Sequence, residues 1–457
     1  MNSISGLLFS ILLISNVTVI SPIRQMRHVT VLIRDGKIAQ IGTSVDAPPD
    51  AQRIDGTGKL LIPGLIDTHV HPGNIGPVDA EAMEKHPELL QAYRAQLPRA
   101  FLAFGFTTLV DLDLRPATPS SFNAAPLHPT LYSCGPGLRV TGGYGAKLKD
   151  ANIADRPDQV ARAIDRVVDA GGICVKTFIE PGFGGATHFE VPTRETLDAI
   201  RAEATRRGLV LIIHANAVEA WRPAIAAHAD VIAHGLWHWS GDRRETTPPA
   251  EAREVIEAAA RAHIAVQPTL QAVYGDLSIF DSSILKDPRL AFALPPSVIT
   301  YLKSDEAQAA QRAIQDEYRP IIGRLFPGVD SLAVMSIAPK RATETLRIMN
   351  ADGVKLLFGS DTPSNQGIGN PPGLNGRLEM SLWADAGVPL SKILRAATLD
   401  NAVAFGLNDR GTIEVGKRAD LLLLGRDPLK SVAAYDAIDT VFVNGEPVPR
   451  ATLAPRN

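Results

Sequence analysis

Cysteine is nearly absent from this chain: 457 residues carry only two, Cys134 and Cys174. Two thiols do not make the disulfide framework of a small secreted domain. Cys174 reads as a buried inert thiol or, because it shares a strand face with Lys176, as a group lining a pocket. An excess of either charge is absent too. The formal net charge is -3 and the pI lies near 6.4, which gives no electrostatic case for a nucleic-acid partner. The apolar stretch from Ile4 to Ile14 falls short of the roughly 20 residues of a membrane span, so no stable membrane association is expected. It looks like the core of an export signal, yet no Lys or Arg precedes it and no small-residue cleavage site follows. A cytoplasmic protein is expected, with an exported form as the alternative. There is no internal repeat and no low-complexity tract. What remains, 45% hydrophobic and 21% charged residues, is an ordinary soluble composition, and the length allows one large barrel plus a smaller domain.

Short strands and turns fill the first ~60 residues. Val29–Ile33 and Lys37–Ile41 flank Asp35-Gly36, a hairpin turn signal. The C-terminus repeats the style in Ala419–Leu424 and Thr440–Gly445. These two distant segments, residues 1–62 and 406–457, are expected to pair into one small β-sandwich. Between them, eight strand-like runs alternate with helical patterns: Leu65–His71, Thr107–Asp113, Thr130–Cys134, Ile173–Ile179, Val210–His214, Val231–His234, Ala265–Pro268 and Lys355–Ser360. Helical periodicity marks Glu88–Ala103, Asp158–Ala170, Arg194–Arg207 and Glu251–His263. Alternation on this scale argues for an α/β protein, a closed (β/α)8 barrel over residues 63–405. The stretch around 270–345 exceeds what a barrel loop needs and is expected to carry its own helices as a lid.

The run Leu65-Ile66-Asp67-Thr68-His69-Val70-His71 points Asp67, His69 and His71 to one side, by the period-two geometry of a strand. Two imidazoles so placed can grip one metal ion. Further ligand-type residues stand at the ends of other runs or within them: Lys176, His214, His234 and Asp361. Active sites of such barrels gather at the C-terminal strand ends, so ligands far apart in sequence would converge there. Any one of these histidines alone is more often an ordinary core or surface imidazole. Imidazole and carboxylate suit zinc, manganese, iron or cobalt, with zinc the default. Lys176 either pairs with Asp361 or a substrate anion, or loses its proton on burial and takes up carbon dioxide as a carbamate able to bridge two ions.

In these segments the chain resembles the amidohydrolase superfamily, in its imidazolonepropionase-like and prolidase-like branch. The matching pieces are Ile62-Pro63-Gly64-Leu65-Ile66-Asp67-Thr68-His69-Val70-His71, Gly105-Phe106-Thr107-Thr108, Val175-Lys176, His214-Ala215, Ala233-His234-Gly235, Gly359-Ser360-Asp361-Thr362 and the tail from Gly411 to Leu421. The resemblance implies that His69, His71 and Asp361 hold one metal, that His214 and His234 hold a second, and that N-carboxylated Lys176 bridges them. It also implies a hydroxide between the two ions as nucleophile, with Asp361 as general base and then acid. Asp67 reads as a partner of these ligands or as a plain strand carboxylate.

Substrate contacts are less legible. Tyr144, in the loop Thr141–Gly145, stands where related enzymes often have His; it can donate one hydrogen bond but cannot be cationic. Tyr274, after Pro268, looks like the family tyrosine that faces the reacting group, or packs a lid. His238 beside Trp237 and Trp239 can stack on a planar substrate or belong to a packed loop. The expected activity is hydrolysis of an amide bond in a small molecule, an N-acyl amino acid or a dipeptide. A cyclic amide or a lactone would fit the same site. A mononuclear deaminase fits less well, because it needs no Lys176 and the acidic residue nearest after His214 is Glu219. A non-catalytic scaffold is the remaining class, though no ligand is missing. The family resemblance implies a homo-oligomer.

Overall fold

The computed structural model describes residues 11–74, 80–114, 122–363 and 368–455. The expected apolar signal-like stretch from Ile4 therefore lies largely outside the described residues. The N-terminal segment forms β1 (Leu12–Ser21), β2 (Arg24–Arg34), β3 (Lys37–Gly42), β4 (Gln52–Asp55) and β5 (Leu60–Pro63). β2 and β3 pair antiparallel through Asp35 and Gly36, at φ 54° and 71°, the two positive values that a tight hairpin turn of matching twist requires.

The C-terminal strands pair with these N-terminal ones. Leu421–Leu424 runs antiparallel to β5 and to Ile438–Val443, which in turn pairs with Glu446–Pro449. The result is one eight-stranded sheet. Its all-leucine strand is explained by burial on both faces. Leu421 and Leu423 join a cluster with Leu12, Ile14 and Phe442, while Leu422 and Leu424 join the large central core. A strand covered on both sides reads as a continuous apolar run instead of alternating.

The central region holds β6 (Leu65–Val70), β7 (Phe106–Asp111) and β8 (Thr130–Ser133) in one parallel sheet. A second parallel sheet takes β9 (Leu138–Arg139), β10 (Asn152–Ile153), β11 (Cys174–Phe178), β12 (Val210–His214), β13 (Val231–Ala233) and β14 (Ala265–Gln267). Helices Pro87–Ala103, Pro157–Asp169, Arg194–Arg207, Val218–Ala226 and Ala250–Arg261 alternate with the strands. In Arg194–Arg207 the Thr193 hydroxyl accepts from the Thr196 N–H, Gly208 ends the helix at φ 65°, and Leu197, Ile200 and Ala204 are buried; capping and an apolar stripe together fix such a helix.

Seven of the eight expected runs are strands. The eighth, Lys355–Ser360, is not. It makes one isolated bridge, Leu356 to Val266, and Thr362 just beyond it bridges to Val70. The cause is a side chain inserted into the ladder: the Asn401 amide accepts from Phe358 N–H at 3.1 Å and donates to the carbonyls of Phe358 and Ile66, each at 2.8 Å. The run still lies between β14 and β6, since Leu357 N–H bonds Val266 O at 2.9 Å and Asp361 N–H bonds His69 O at 2.7 Å. The long stretch beyond Pro268 carries its own helices, among them Leu270–Gly275, Asp305–Leu325 and Ile337–Ala351.

The reading of Cys174 as a free thiol is corrected. Cys134 and Cys174 form a disulfide with Cα atoms 4.3 Å apart. Cys134 directly follows β8 and Cys174 opens β11, and the backbone joins these segments where Ile173 N–H bonds Ser133 O at 2.8 Å. Forty residues of sequence separate the two cysteines, so only the tertiary fold brings them together.

Candidate metal centre

β6 is buried at every residue, and its pleat sends His69 and His71 toward the loop that follows the eighth run. There the Asp361 carboxylate lies 3.3 Å from His69 Nε2 and 3.1 Å from His71 Nε2. Ligand atoms of these three residues all fall within 4.8 Å of one another, a group able to hold a divalent ion. His234 joins from beyond β13, its Nδ1 4.0 Å from the other Asp361 oxygen. Its ring centroid is 5.0 Å from that of His69 and 4.5 Å from that of His214. His214 ends β12. Five expected ligands from four separate runs are thus neighbours.

Two of these positions have unusual backbones. His234 sits at φ 85° and Asp361 at φ 57°, and Thr269, which touches His234, at φ 47°. Left-handed conformations cost non-glycine residues free energy, most of all a β-branched threonine, and such outliers cluster at functional sites.

Lys176, the sixth expected ligand, is buried on β11, and its Nζ has no hydrogen-bond partner. A buried unpaired ammonium would be very costly. Burial accordingly pulls its pKa down to about 7, so a substantial share of the amine is unprotonated at neutral pH. It is not ion-paired with Asp361. His69 Nδ1 is likewise buried without a partner. Burial lowers His69 to about 3 and depresses His214 and His234, favouring the neutral imidazoles that ligate metal. Burial also acts to lower His71, but the adjacent carboxylates of Asp111 and Asp361 outweigh it and hold the ring at about 9. Asp361 is driven well below the ordinary carboxylate range against the effect of burial, chiefly by His69 and then His71. The donor set is therefore nitrogen and carboxylate oxygen around an unpartnered amine, which fits divalent cations.

Several supporting groups are visible only in three dimensions. Glu180 accepts from His214 Nε2 at 3.0 Å. Thr269 Oγ1 is 2.9 Å from His234 Nδ1. Asp111 is 3.7 Å from His71 Nδ1. Such partners orient metal-binding imidazoles. A carboxylate at the C-terminal end of a strand-like run was the available signal for Asp111 and Glu180; Thr269 offered none. Asp67 makes no hydrogen bond to a ligand side chain among the described residues. It accepts instead from the Ser360 N–H and hydroxyl and from His69 N–H.

The expected substrate contacts are placed as follows. The Tyr144 ring stacks on His214 with centroids 5.5 Å apart, and Phe178, Phe183 and Phe189 meet its edges. His238 packs edge-on to Trp237, and burial lowers it to about 4, so it is neutral. Tyr274 bonds Thr343 through its hydroxyl at 3.1 Å and lines a cavity of about 730 Å³ with Gln271, Ser278, Asp281 and Arg289; no ligand imidazole lines that cavity.

The profile of the Amidohydrolase family matches residues 60–448. A dihydroorotase of Mycobacterium tuberculosis is 27% identical over 248 residues, covering 54% of this chain and 52% of that protein. The chain thus aligns with about half the length of this relative. An N-acyl-D-aspartate deacylase of Alcaligenes xylosoxydans xylosoxydans is 23% identical over 91% of this chain and 87% of its own length. Among solved structures, a Xaa-Pro dipeptidase with methionine bound in its active site superposes with a TM-score of 0.67 at 21% identity, covering 96% of this chain and 100% of that one. At such identity the likeness concerns the fold.

Proposed function

From the premise that the chain belongs to the amidohydrolase family, we propose that it hydrolyses the amide C–N bond of a small molecule such as an N-acyl amino acid or a dipeptide, using two divalent ions, zinc by preference. The observation that carries this reading is the meeting of His69, His71, Asp361, His234 and His214 beside the unpartnered amine of Lys176. His69, His71 and Asp361 would hold one ion and His214 and His234 the other. The Lys176 amine would add to carbon dioxide, forming an N–C bond and losing one proton to solvent, and so present two carboxylate-type oxygens between the ions.

Bound there, the ions supply Lewis acidity toward a carbonyl and lower the pKa of water. The protein does the rest. Asp361 faces His69, His71 and His234 and is ionised, so it can take a proton and return it to a leaving nitrogen. Tyr144 offers an uncharged phenol beside His214, with its pKa raised to about 12 by burial and then by Asp361 and Glu180. The aromatic surface around it suits an apolar side group better than a second anion. We read the two parallel sheets as one (β/α)8 barrel, the terminal sheet as its β-sandwich partner domain, and the helices of 270–345 as a lid. Homo-oligomer formation remains part of the proposal.

Elemental analysis tests it. About two ions per chain, with a carbamate signal on Lys176 after labelling with isotopic carbon dioxide, is the expected result. One ion would point to the deaminase class, and none to a scaffold. A screen of N-acyl amino acids, dipeptides and lactones against the metal-loaded protein then separates amide from ester chemistry.

A further inference from the structure

Glu180 follows β11 and is only 1% exposed, yet nothing in the proposed chemistry uses it. Both of its oxygens are engaged. Oε2 faces His214 Nε2 at 3.0 Å and accepts from the Asn216 side-chain amide at 2.7 Å. Oε1 accepts the backbone N–H groups of Gly182 at 2.8 Å and Phe183 at 2.6 Å. The backbone is shaped to deliver those two N–H groups. Gly182 adopts φ 144°, and a Cβ there would lie 2.0 Å from Thr187 O; Phe183 itself is at φ 51°.

A carboxylate accepts and does not donate. His214 must therefore carry its proton on Nε2, and Nδ1 is left with the free lone pair. The tautomer of a metal-binding histidine is set by the bond its other nitrogen makes. The same carboxylate fixes the loop whose Phe183 and Phe189 pack against Tyr144, and Tyr144 stacks on the His214 ring. One side chain thus ties an imidazole and the aromatic loop together.

We propose that Glu180 is a positioning residue: it holds His214 in the Nε2–H tautomer with Nδ1 presented to the second ion, and couples occupancy of that position to the order of the 182–189 loop. This rests on the two-ion reading above, but its first test does not. In metal-free protein labelled with ¹⁵N-histidine, the His214 resonances, assigned against His214→Asn, should report Nε2–H. In Glu180→Gln, an isosteric amide that has one acceptor oxygen for four N–H donors, the ring should move to Nδ1–H. A wild-type ring protonated on Nδ1, or an unchanged tautomer in the variant, overturns the proposal. A merely structural Glu180 would lower stability without switching the nitrogen.

The second test is calorimetric titration with zinc. Glu180→Gln should bind the second equivalent roughly 10- to 100-fold more weakly, with the first unchanged. Amide exchange at Gly182 and Phe183 should slow on loading the second equivalent in wild type and not in the variant. Two equal equivalents in both proteins would overturn the proposal while the two-ion reading stands. A single equivalent in wild type would end the two-ion reading, and the nitrogen spectrum would still decide the role of Glu180.

Discussion

Asp67 and Ser360 clamp the first run to the eighth. The Ser360 N–H donates to Asp67 Oδ1 at 3.0 Å and the Ser360 hydroxyl lies 2.5 Å from Oδ2. Ser360 immediately precedes Asp361, and Asp67 also accepts from His69 N–H at 3.1 Å. The clamp therefore sets the spacing between the two sides of the first ion position. Ser360→Ala removes one donor from a fully buried carboxylate, which costs roughly 1–3 kcal/mol. The urea midpoint of chelator-treated protein should fall accordingly, and zinc affinity at the first equivalent should fall with it. Unchanged affinity would restrict the clamp to stability.

Asp361 is the only carboxylate within hydrogen-bonding distance of His69 and His71 together among the described residues. Asp361→Asn keeps the shape and removes the base. We expect kcat to fall roughly 10²- to 10⁴-fold while the circular dichroism spectrum is unchanged. Retained turnover would remove Asp361 from proton transfer.

Lys176→Ala deletes the amine that lies buried without a hydrogen-bond partner. Ion affinity should weaken roughly tenfold or more, and acetate or propionate should restore part of it by occupying the vacated space with a carboxylate. Metal content and rate equal to wild type would rule out a bridging role.

Much of this was readable in one dimension because strands impose a period of two. That period aligned His69 with His71, and β12 occupies the residues its apolar run marked, Val210–His214. The eighth run could not be read correctly, since its ladder positions are filled by the side chain of Asn401, 43 residues from Phe358. The Glu180–His214 and Asp67–Ser360 contacts are equally tertiary, spanning 34 and 293 residues. Composition described the cysteines as sparse and could not pair them.

The Cys134–Cys174 bond closes a long loop, with a sequence separation of 40. In the chain-entropy account, a loop of this size contributes about 4 kcal/mol. Denatured protein prepared without reductant should show no reactive thiol, and a fully reduced sample should unfold at lower urea. Disulfides persist in oxidising compartments, so the pair is expected to stay bonded in protein recovered from one. Two titratable thiols in protein isolated under alkylating conditions would reverse that reading.

Glu379 gives the stability of the protein a pH dependence of definite sign. Its carboxyl group accepts from Leu270 N–H at 3.0 Å, Gln271 N–H at 2.5 Å and Trp383 Nε1 at 2.6 Å, so it anchors the start of the helix carrying Tyr274. Burial raises its pKa from 4.5 to about 7 despite these bonds. Between those values the unfolded chain has lost the proton that the folded chain keeps. Unfolding is then favoured by rising pH, because stability falls wherever the native state binds more protons. The contribution is complete below about pH 4.5 and is lost as pH rises through about 7, an effect of roughly 3 kcal/mol at most. Asp67, also raised by burial to about 7, adds the same sign, so the measurement must be a difference. Glu379→Gln should be less stable than wild type in acid, where one amide oxygen must serve three N–H donors. The gap between the two proteins should narrow as pH rises, because only wild type carries the ionisation cost. Parallel pH profiles of the urea midpoint, in chelator-treated protein, would show that Glu379 keeps an ordinary pKa.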